Sequence, residues 1–343
     1  KNLFVEKNLN IDRNLDTVIV GAGFAGMYCL HKQIQDGFHA EIFEKADDVG
    51  GTWYWNKYPG ARCDIESMDY SYSFSDELQQ EWNWKEKYGT QPEILEYARF
   101  VSKKFNLREK INFKTSIVKA SFIKKKWIIQ TNDDLIIECK YLILATGNLS
   151  TPNTPNIEGI SNFEGRIYHT GAWPEKMPEF EGRKVGIIGT GSSGVQSIPV
   201  ISETAKELLV FQRTANFSLP ARHSELPINK RENYKKNYKK YRELAQNSSF
   251  GIAKYQPPTK SAFDVNKDER DEIYENAWQE GGQAMLFAFT DLLTNKEANE
   301  TAANFVRNKI RKIVKNKETA EKLCPNDHPI GTKRLCLDSN YFE

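Results

Sequence analysis

The chemistry that can be read first lies in two glycine loops. Gly21-Ala22-Gly23-Phe24-Ala25-Gly26 follows the β run 17–20, and Gly189-Thr190-Gly191-Ser192-Ser193-Gly194 follows the β run 184–188. Each opens a helical stretch. In the first, Phe24, Met27, Leu30 and Ile34 fall at helical spacing and Gly37 is placed to end the helix. A helix N-terminus offers unpaired N–H groups and the positive end of the helix dipole, and glycine lets backbone approach a phosphate with no Cβ in the way. A lone G-x-G-x-x-G says little. One that follows a strand and opens a helix is in the context a dinucleotide pyrophosphate needs. Gly21, Gly23 and Gly26 are therefore candidate contacts of one dinucleotide, and Gly189, Gly191, Ser192, Ser193 and Gly194 of another.

The end of the second strand in each unit separates the two ligands. Glu44 closes the β run 40–43, and a carboxylate there accepts hydrogen bonds from a ribose diol, as in FAD or NAD. Arg213 follows the β run 207–211, beside Thr214 and with no acid next to it. A guanidinium there meets a 2′-phosphate bidentately and selects NADPH over NADH. Two different dinucleotides on one chain imply a flavin, FAD, and its reductant, NADPH.

Two βαβ units position these groups, about one domain length apart. Between them, residues 111–137 alternate in short β-like segments, including Trp127-Ile128-Ile129, and a further β run, 141–144, leads into Ala145-Thr146-Gly147. The stretch 148–159, with Pro152 and Pro155, reads as a linker. Farther on, Tyr234, Tyr238, Tyr241 and Leu244 share one helical seam, and Val306, Ile310, Ile313 and Val314 another. The expected architecture is α/β, with two Rossmann-like dinucleotide-binding domains and a helical insertion in the second. Residues 1–150 are expected to hold the N-terminal part of the FAD-binding domain. Residues 151–228 and 324–343 are expected to form the NADP-binding domain with its linker, and 229–323 the insertion.

Composition excludes several classes. Of 343 residues, 39% are hydrophobic and 27% charged, which is the balance of a soluble globular protein. A net charge of +2 argues for neither nucleic acid nor an anionic membrane, and the basic residues of the insertion are interleaved with glutamates, as on a solvated helix face. Cys29, Cys63, Cys139, Cys324 and Cys336 form no C-x-x-C pair, so neither a disulfide framework nor a metal site is expected, and a reducing cytoplasm fits. Residues 1–10 lack a signal-peptide core, and 18–30 is too short and glycine-rich to span a bilayer.

Longer motifs resemble a known family. Phe163-Glu164-Gly165-Arg166-Ile167-Tyr168-His169-Thr170-Gly171-Ala172-Trp173-Pro174 resembles the F-x-G-x-x-x-H-x-x-x-W-P fingerprint of type I Baeyer–Villiger flavin monooxygenases, the cyclohexanone and phenylacetone monooxygenase kind. Gly51-Thr52-Trp53, Tyr58-Pro59-Gly60 and Asp64 match a second signature, and the resemblance runs from about residue 16 to 343. It implies an NADPH- and O2-dependent enzyme that inserts an oxygen atom next to a ketone carbonyl, through a C4a-peroxyflavin, to give an ester or lactone. By the same resemblance Gly21, Gly23, Gly26 and Glu44 hold FAD, while Thr52, Trp53 and Asp64 lie in the flavin site. Gly189, Gly191, Gly194, Arg213 and Thr214 hold NADPH, and Lys333, in Gly331-Thr332-Lys333-Arg334, reaches its 2′-phosphate. Arg334 enters the active site, and Asp64 orients it as its catalytic partner. An arginine suits a peroxide anion, since it stays charged and does not give up its proton.

Other readings remain beside this one. His169 reads as a flavin-reaching base or as a hinge residue, and its place in a connection favours the hinge. Trp173 reads as packing. An N- or S-oxygenating flavin monooxygenase would use the same chemistry up to oxygen transfer, but Trp173-Pro174 and the Asp64 and Arg334 pair tilt against it. A disulfide reductase needs a redox cysteine pair, and Cys63 has no close partner. A non-catalytic dinucleotide-binding remnant is a rival from another class. Family members continue past residue 343, so the chain is expected to be the front part of a longer protein or a fragment, with part of the substrate wall beyond it. The partners expected are a small-molecule ketone and O2; which ketone, the regioselectivity and the oligomeric state are not legible.

Overall fold

A computed structural model of the chain describes residues 10–248 and 250–343. The polar N-terminal residues 1–9, and Ser249 in the expected insertion, lie outside the described residues. The first part of the chain runs β1 (Arg13–Val20), α1 (Phe24–Gln35), β2 (Ala40–Phe43), α2 (Thr52–Trp55), α3 (Asp76–Glu81), α4 (Gln91–Lys104), β3 (Ile111–Asn112), β4 (Ile117–Ile123), β5 (Lys126–Thr131) and β6 (Ile136–Leu144). The second runs β7 (Lys184–Ile188), α5 (Ser192–Ser202), β8 (Glu207–Phe211), β9 (Ser218–Pro220), α6 (Ile228–Lys236) and α7 (Tyr238–Gln246). It closes with α8 (Lys267–Glu280), α9 (Lys296–Ile313), α10 (Lys317–Leu323) and β10 (Cys336–Asp338).

The chain divides into two compact units. One holds Lys1–Lys57 and Gln91–Glu175, the other Tyr58–Thr90 and Lys176–Glu343. In the first unit a six-stranded sheet has the order β3-β2-β1-β6-β5-β4. β3, β2, β1 and β6 are parallel, and β5 and β4 continue antiparallel. A parallel neighbour needs a crossover, and α1 supplies it between β1 and β2. As the central strand, β1 buries Thr17, Val18 and Ile19, as a strand covered on both faces must. Ile19, Met27, Leu30 and Ile42 form one apolar cluster with Ala98 of α4; Leu15, Val18, Phe43, Ile129 and Ile137 form another.

In the second unit β7 and β8 pair in parallel around α5, a second βαβ unit, and β9 pairs in parallel with β10. Its largest core joins β9 and β10 to the helices: Phe217, Leu219 and Leu337 cluster with Tyr274, Phe289, Val306 and Ile310. Helices fill most of 228–323. The tyrosine seam is broken at Asn237, which ends α6; Tyr234 still stacks on Tyr241 with ring centroids 4.3 Å apart. No helix among the described residues is long and apolar enough to cross a membrane.

Candidate active site

In the first unit the loop between β1 and α1 is held by its own strand and by Glu44. The Gly21 N–H donates to the Phe43 carbonyl at 2.9 Å. A Cβ on Gly26 would lie 1.9 Å from the Gly21 oxygen, so only glycine lets α1 sit this close to the strand end. The N-cap of α1, Gly23, makes no side-chain cap, and the first turn carries no acid, which leaves the helix end suited to an anion. Glu44 is buried, and its carboxylate accepts the Ala22 N–H at 2.7 Å and the Ala46 N–H at 2.8 Å. Two of about four lone-pair directions are thereby used. Thr52 and Trp53 lie on the one-turn helix α2, and the Gln91 side-chain amide donates to the Trp53 carbonyl.

In the second unit the same logic recurs. The Gly189 N–H donates to the Phe211 carbonyl at 2.8 Å, and a Cβ on Gly194 would lie 2.2 Å from the Gly189 oxygen. Gly191 caps α5 without a side-chain bond, and the first turn has no acid. Asp64 is tied to this helix. The Ser192 hydroxyl donates to one carboxylate oxygen at 3.4 Å, and the Gln196 amide, one turn later, donates to the other at 3.1 Å. An Arg334 nitrogen stands 3.5 Å from Asp64 Oδ2. Burial pushes the Asp64 carboxyl above the ordinary aspartate value, against the pull of Arg334, Ser192 and Gln196.

Arg213 and Thr214 are exposed at the end of β8. The Lys333 ammonium donates to the Thr214 hydroxyl at 3.3 Å and stands 3.9 Å from Asp327. The structure thus gathers Asp64, Ser192 and Arg334 in one group, and Thr214 and Lys333, next to Arg213, in another. His169, in the first unit, forms a tight turn: its Nδ1 accepts the Gly171 N–H at 3.0 Å and its carbonyl accepts the Ala172 N–H at 2.9 Å.

Several partners escape sequence reading. Tyr58 donates to Gln196 at 3.0 Å, and Asn216 donates to the Arg334 carbonyl at 3.1 Å. Gln196 carries a usable signal, since it lies one helical turn beyond Ser192 and so on the same face. Asn216 carries none.

The cysteines are unpaired, and burial pushes the Cys63 thiol up to about 12, far from a reactive thiolate. Among the described residues no cluster of His, Cys, Asp or Glu could hold a metal.

Known proteins resemble this chain in sequence and fold. Residues 18–257 match the family described as pyridine nucleotide-disulphide oxidoreductase. A Baeyer–Villiger monooxygenase of Pseudooceanicola batsensis is 40% identical over 349 residues, covering 100% of this chain and 63% of that protein. A phenazine N-monooxygenase of Lysobacter antibioticus is 40% identical over 339 residues, covering 97% of this chain and 62% of that protein. A solved structure of OTEMO in complex with FAD and NADP superposes with a TM-score of 0.92 at 38% identity, covering 96% of this chain and 62% of that one. The chain spans about three fifths of the length of the curated relatives it matches. The two-loop α/β architecture is thus that of a dinucleotide-binding fold. The chain belongs to the pyridine nucleotide-disulphide oxidoreductase family and is a homologue of the Baeyer–Villiger monooxygenases over nearly its whole length.

Proposed function

We propose that the protein is an NADPH- and O2-dependent flavin monooxygenase that converts a ketone, with O2, NADPH and a proton, into an ester or lactone, water and NADP⁺. The observation that carries this reading is the pairing of two uncapped, acid-free helix N-termini with different partners. The buried carboxylate of Glu44 stands at one; the other loop is bonded to the end of β8, where Arg213 and Thr214 follow and Lys333 meets Thr214.

Both sites fit their groups. Above the second loop, a Cβ on Gly189 or Gly191 would meet nothing within 4 Å, so a pyrophosphate has room to approach the backbone. In the first unit Gly21, Gly23 and Gly26 cradle the FAD pyrophosphate, and the free lone pairs of Glu44 accept the ribose diol. Thr52 and Trp53 line the same cofactor site, and the family resemblance assigns Asp64 to the flavin as well. In the second unit Gly189, Gly191, Ser192, Ser193 and Gly194 hold the NADPH pyrophosphate, and Arg213, Thr214 and Lys333 hold its 2′-phosphate. When bound, FAD accepts hydride from NADPH and activates O2 for transfer to the ketone.

The chain's own catalytic part falls to Arg334 and Asp64. The guanidinium would give negative charge at the reacting oxygen a positive neighbour. Asp64, anchored on α5 by Ser192 and Gln196, sets where that guanidinium points. In domain terms, 1–150 contributes to FAD binding, 151–228 with 324–343 to NADP binding, and 229–323 is an insertion into the latter. The partners are a small ketone and O2, in the cytoplasm.

A second reading, N-oxygenation, is favoured by the Lysobacter relative. Incubating the flavin-loaded protein with NADPH, 18O2, a ketone panel and an aromatic amine panel separates the two. Ester carrying one labelled atom supports the proposal. Labelled N-oxide with no ester supports the alternative, and NADPH consumption absent in every case refutes both.

A further inference from the structure

The helix α9 carries two buried polar side chains, Asn299 and Arg307. Both reach out of the helix to the same loop. The Asn299 amide donates to the Ile330 carbonyl at 2.8 Å and to the Leu292 carbonyl at 2.7 Å, and its oxygen accepts the Ile330 N–H at 3.0 Å. The Arg307 guanidinium donates to the Pro325 carbonyl at 2.7 Å and lies over the Phe217 ring. Along a helix these two residues are about 12 Å apart. The loop 325–330 is therefore clamped at both ends by one rigid element. Immediately after the second clamp comes Gly331, at φ +87°, where a Cβ would lie 2.7 Å from Leu293 Cδ2. Lys333 follows two residues later, with its ammonium on Thr214.

We propose that Asn299 is a positioning residue for recognition of the 2′-phosphate, acting through Lys333. This rests on the reading of Arg213, Thr214 and Lys333 as the 2′-phosphate site. Lys333 has a flexible four-carbon stem, and its main chain must leave the unit's core at a defined place and angle for the ammonium to reach Thr214. Asn299 sets that place by satisfying both main-chain groups of Ile330 in a buried site, where leaving either unpaired is costly. Rigid support behind a flexible contact residue is what keeps the contact within reach of its ligand.

A double-mutant cycle in the flavin-loaded, full-length protein tests this, read as the preference for NADPH over NADH in kcat/KM. Asn299→Ala is expected to lower that preference about tenfold while flavin content is unchanged. In a Lys333→Ala background the same substitution should change the preference by less than about twofold, because the residue it acts through is gone. Equal losses in both backgrounds overturn the inference and leave Asn299 a general support of the fold. If Asn299→Ala does not fold, Arg307→Met, which keeps an unbranched apolar stem but loses the Pro325 bond and the guanidinium over Phe217, carries the same test; an unaltered preference in that variant overturns it. A parent protein indifferent to the 2′-phosphate, or one in which Arg213→Ala and Lys333→Ala change nothing, refutes the underlying site assignment and this inference with it. A parent that prefers NADPH through Arg213 and Lys333 but ignores Asn299 refutes the inference alone.

Discussion

Arg334 and Asp64 stand 3.5 Å apart as an ion pair, yet the arginine side chain is 72% exposed and the aspartate side chain 5%. The buried member is the fixed one. Two further donors from α5 hold it, so the carboxylate is an anchored point from which the guanidinium reaches outward. The arginine, screened by solvent, adds little to stability. Its value lies in direction.

Arg334→Ala should therefore leave folding and flavin binding nearly intact while removing ketone oxygenation. Loss of a preorganised charge in the step it serves costs on the order of 3–4 kcal/mol, several hundredfold in rate. Gas chromatography of ester product, beside the flavin spectrum and melting temperature, measures both halves. Ester formation near the parent rate would make Arg334 a bystander.

Arg213→Ala should raise KM for NADPH far more than for NADH. One charged bidentate contact is worth roughly 1.5–3 kcal/mol, about tenfold to a hundredfold. Steady-state kinetics with the two nucleotides decides it, and an unchanged ratio counts against the assignment.

Glu44→Gln keeps the shape but turns one acceptor into an NH2 group facing the Ala22 or Ala46 N–H. The loop loses a buried hydrogen bond and gains a donor against a donor, a cost of about 1–3 kcal/mol. FAD retention should fall, and the FAD-free protein should also melt earlier. Retention equal to the parent's during dialysis would show that the carboxylate braces the loop without serving the ribose.

Asp338 gives a pH signature. Burial pushes its carboxyl up to about 6, against the Tyr341 N–H it accepts. The folded state thus holds the proton more tightly than the unfolded one, whose value is the ordinary 3.8. Its stabilising contribution is present below about pH 4 and is lost as pH rises to 6, a change of roughly 3 kcal/mol. Asp338→Asn should flatten the stability curve over that window and leave the variant the more stable protein at pH 7. Urea midpoints from pH 4 to 7 test this, and an unaltered slope assigns the dependence to other groups.

The parts legible in the sequence are those whose physics is local. A strand, a glycine turn and a helix lie within about 20 residues of one another, so both nucleotide loops and the strand-end residues Glu44 and Arg213 can be read from spacing alone. The stacked tyrosines of the seam are legible for the same reason, though the break at Asn237 is not. The Asp64 and Arg334 pair is long-range, and only the family resemblance connected its members. Asn216 and Asn299 leave no trace, because their roles are hydrogen bonds to main-chain groups 118 and 31 residues away. Nor does composition mark that Tyr58–Thr90 groups with residues 176–343 rather than with its chain neighbours.

That grouping has a consequence for synthesis. Lys87 donates to a carbonyl 135 positions ahead of it, and Arg242 reaches back 173 positions to the Asp69 carbonyl. As the polypeptide emerges, the stretch 58–90 lacks its partners on α5, after β9 and on α7 until each has been translated. Loop closure over such spans is slow. The apolar side chains of that stretch, Met68, Leu78 and Trp84 among them, are buried in the finished protein and would wait uncovered meanwhile. A nascent chain halted near residue 176 should accordingly bind a hydrophobic-sequence chaperone through this stretch, while the first sheet is already resistant to protease.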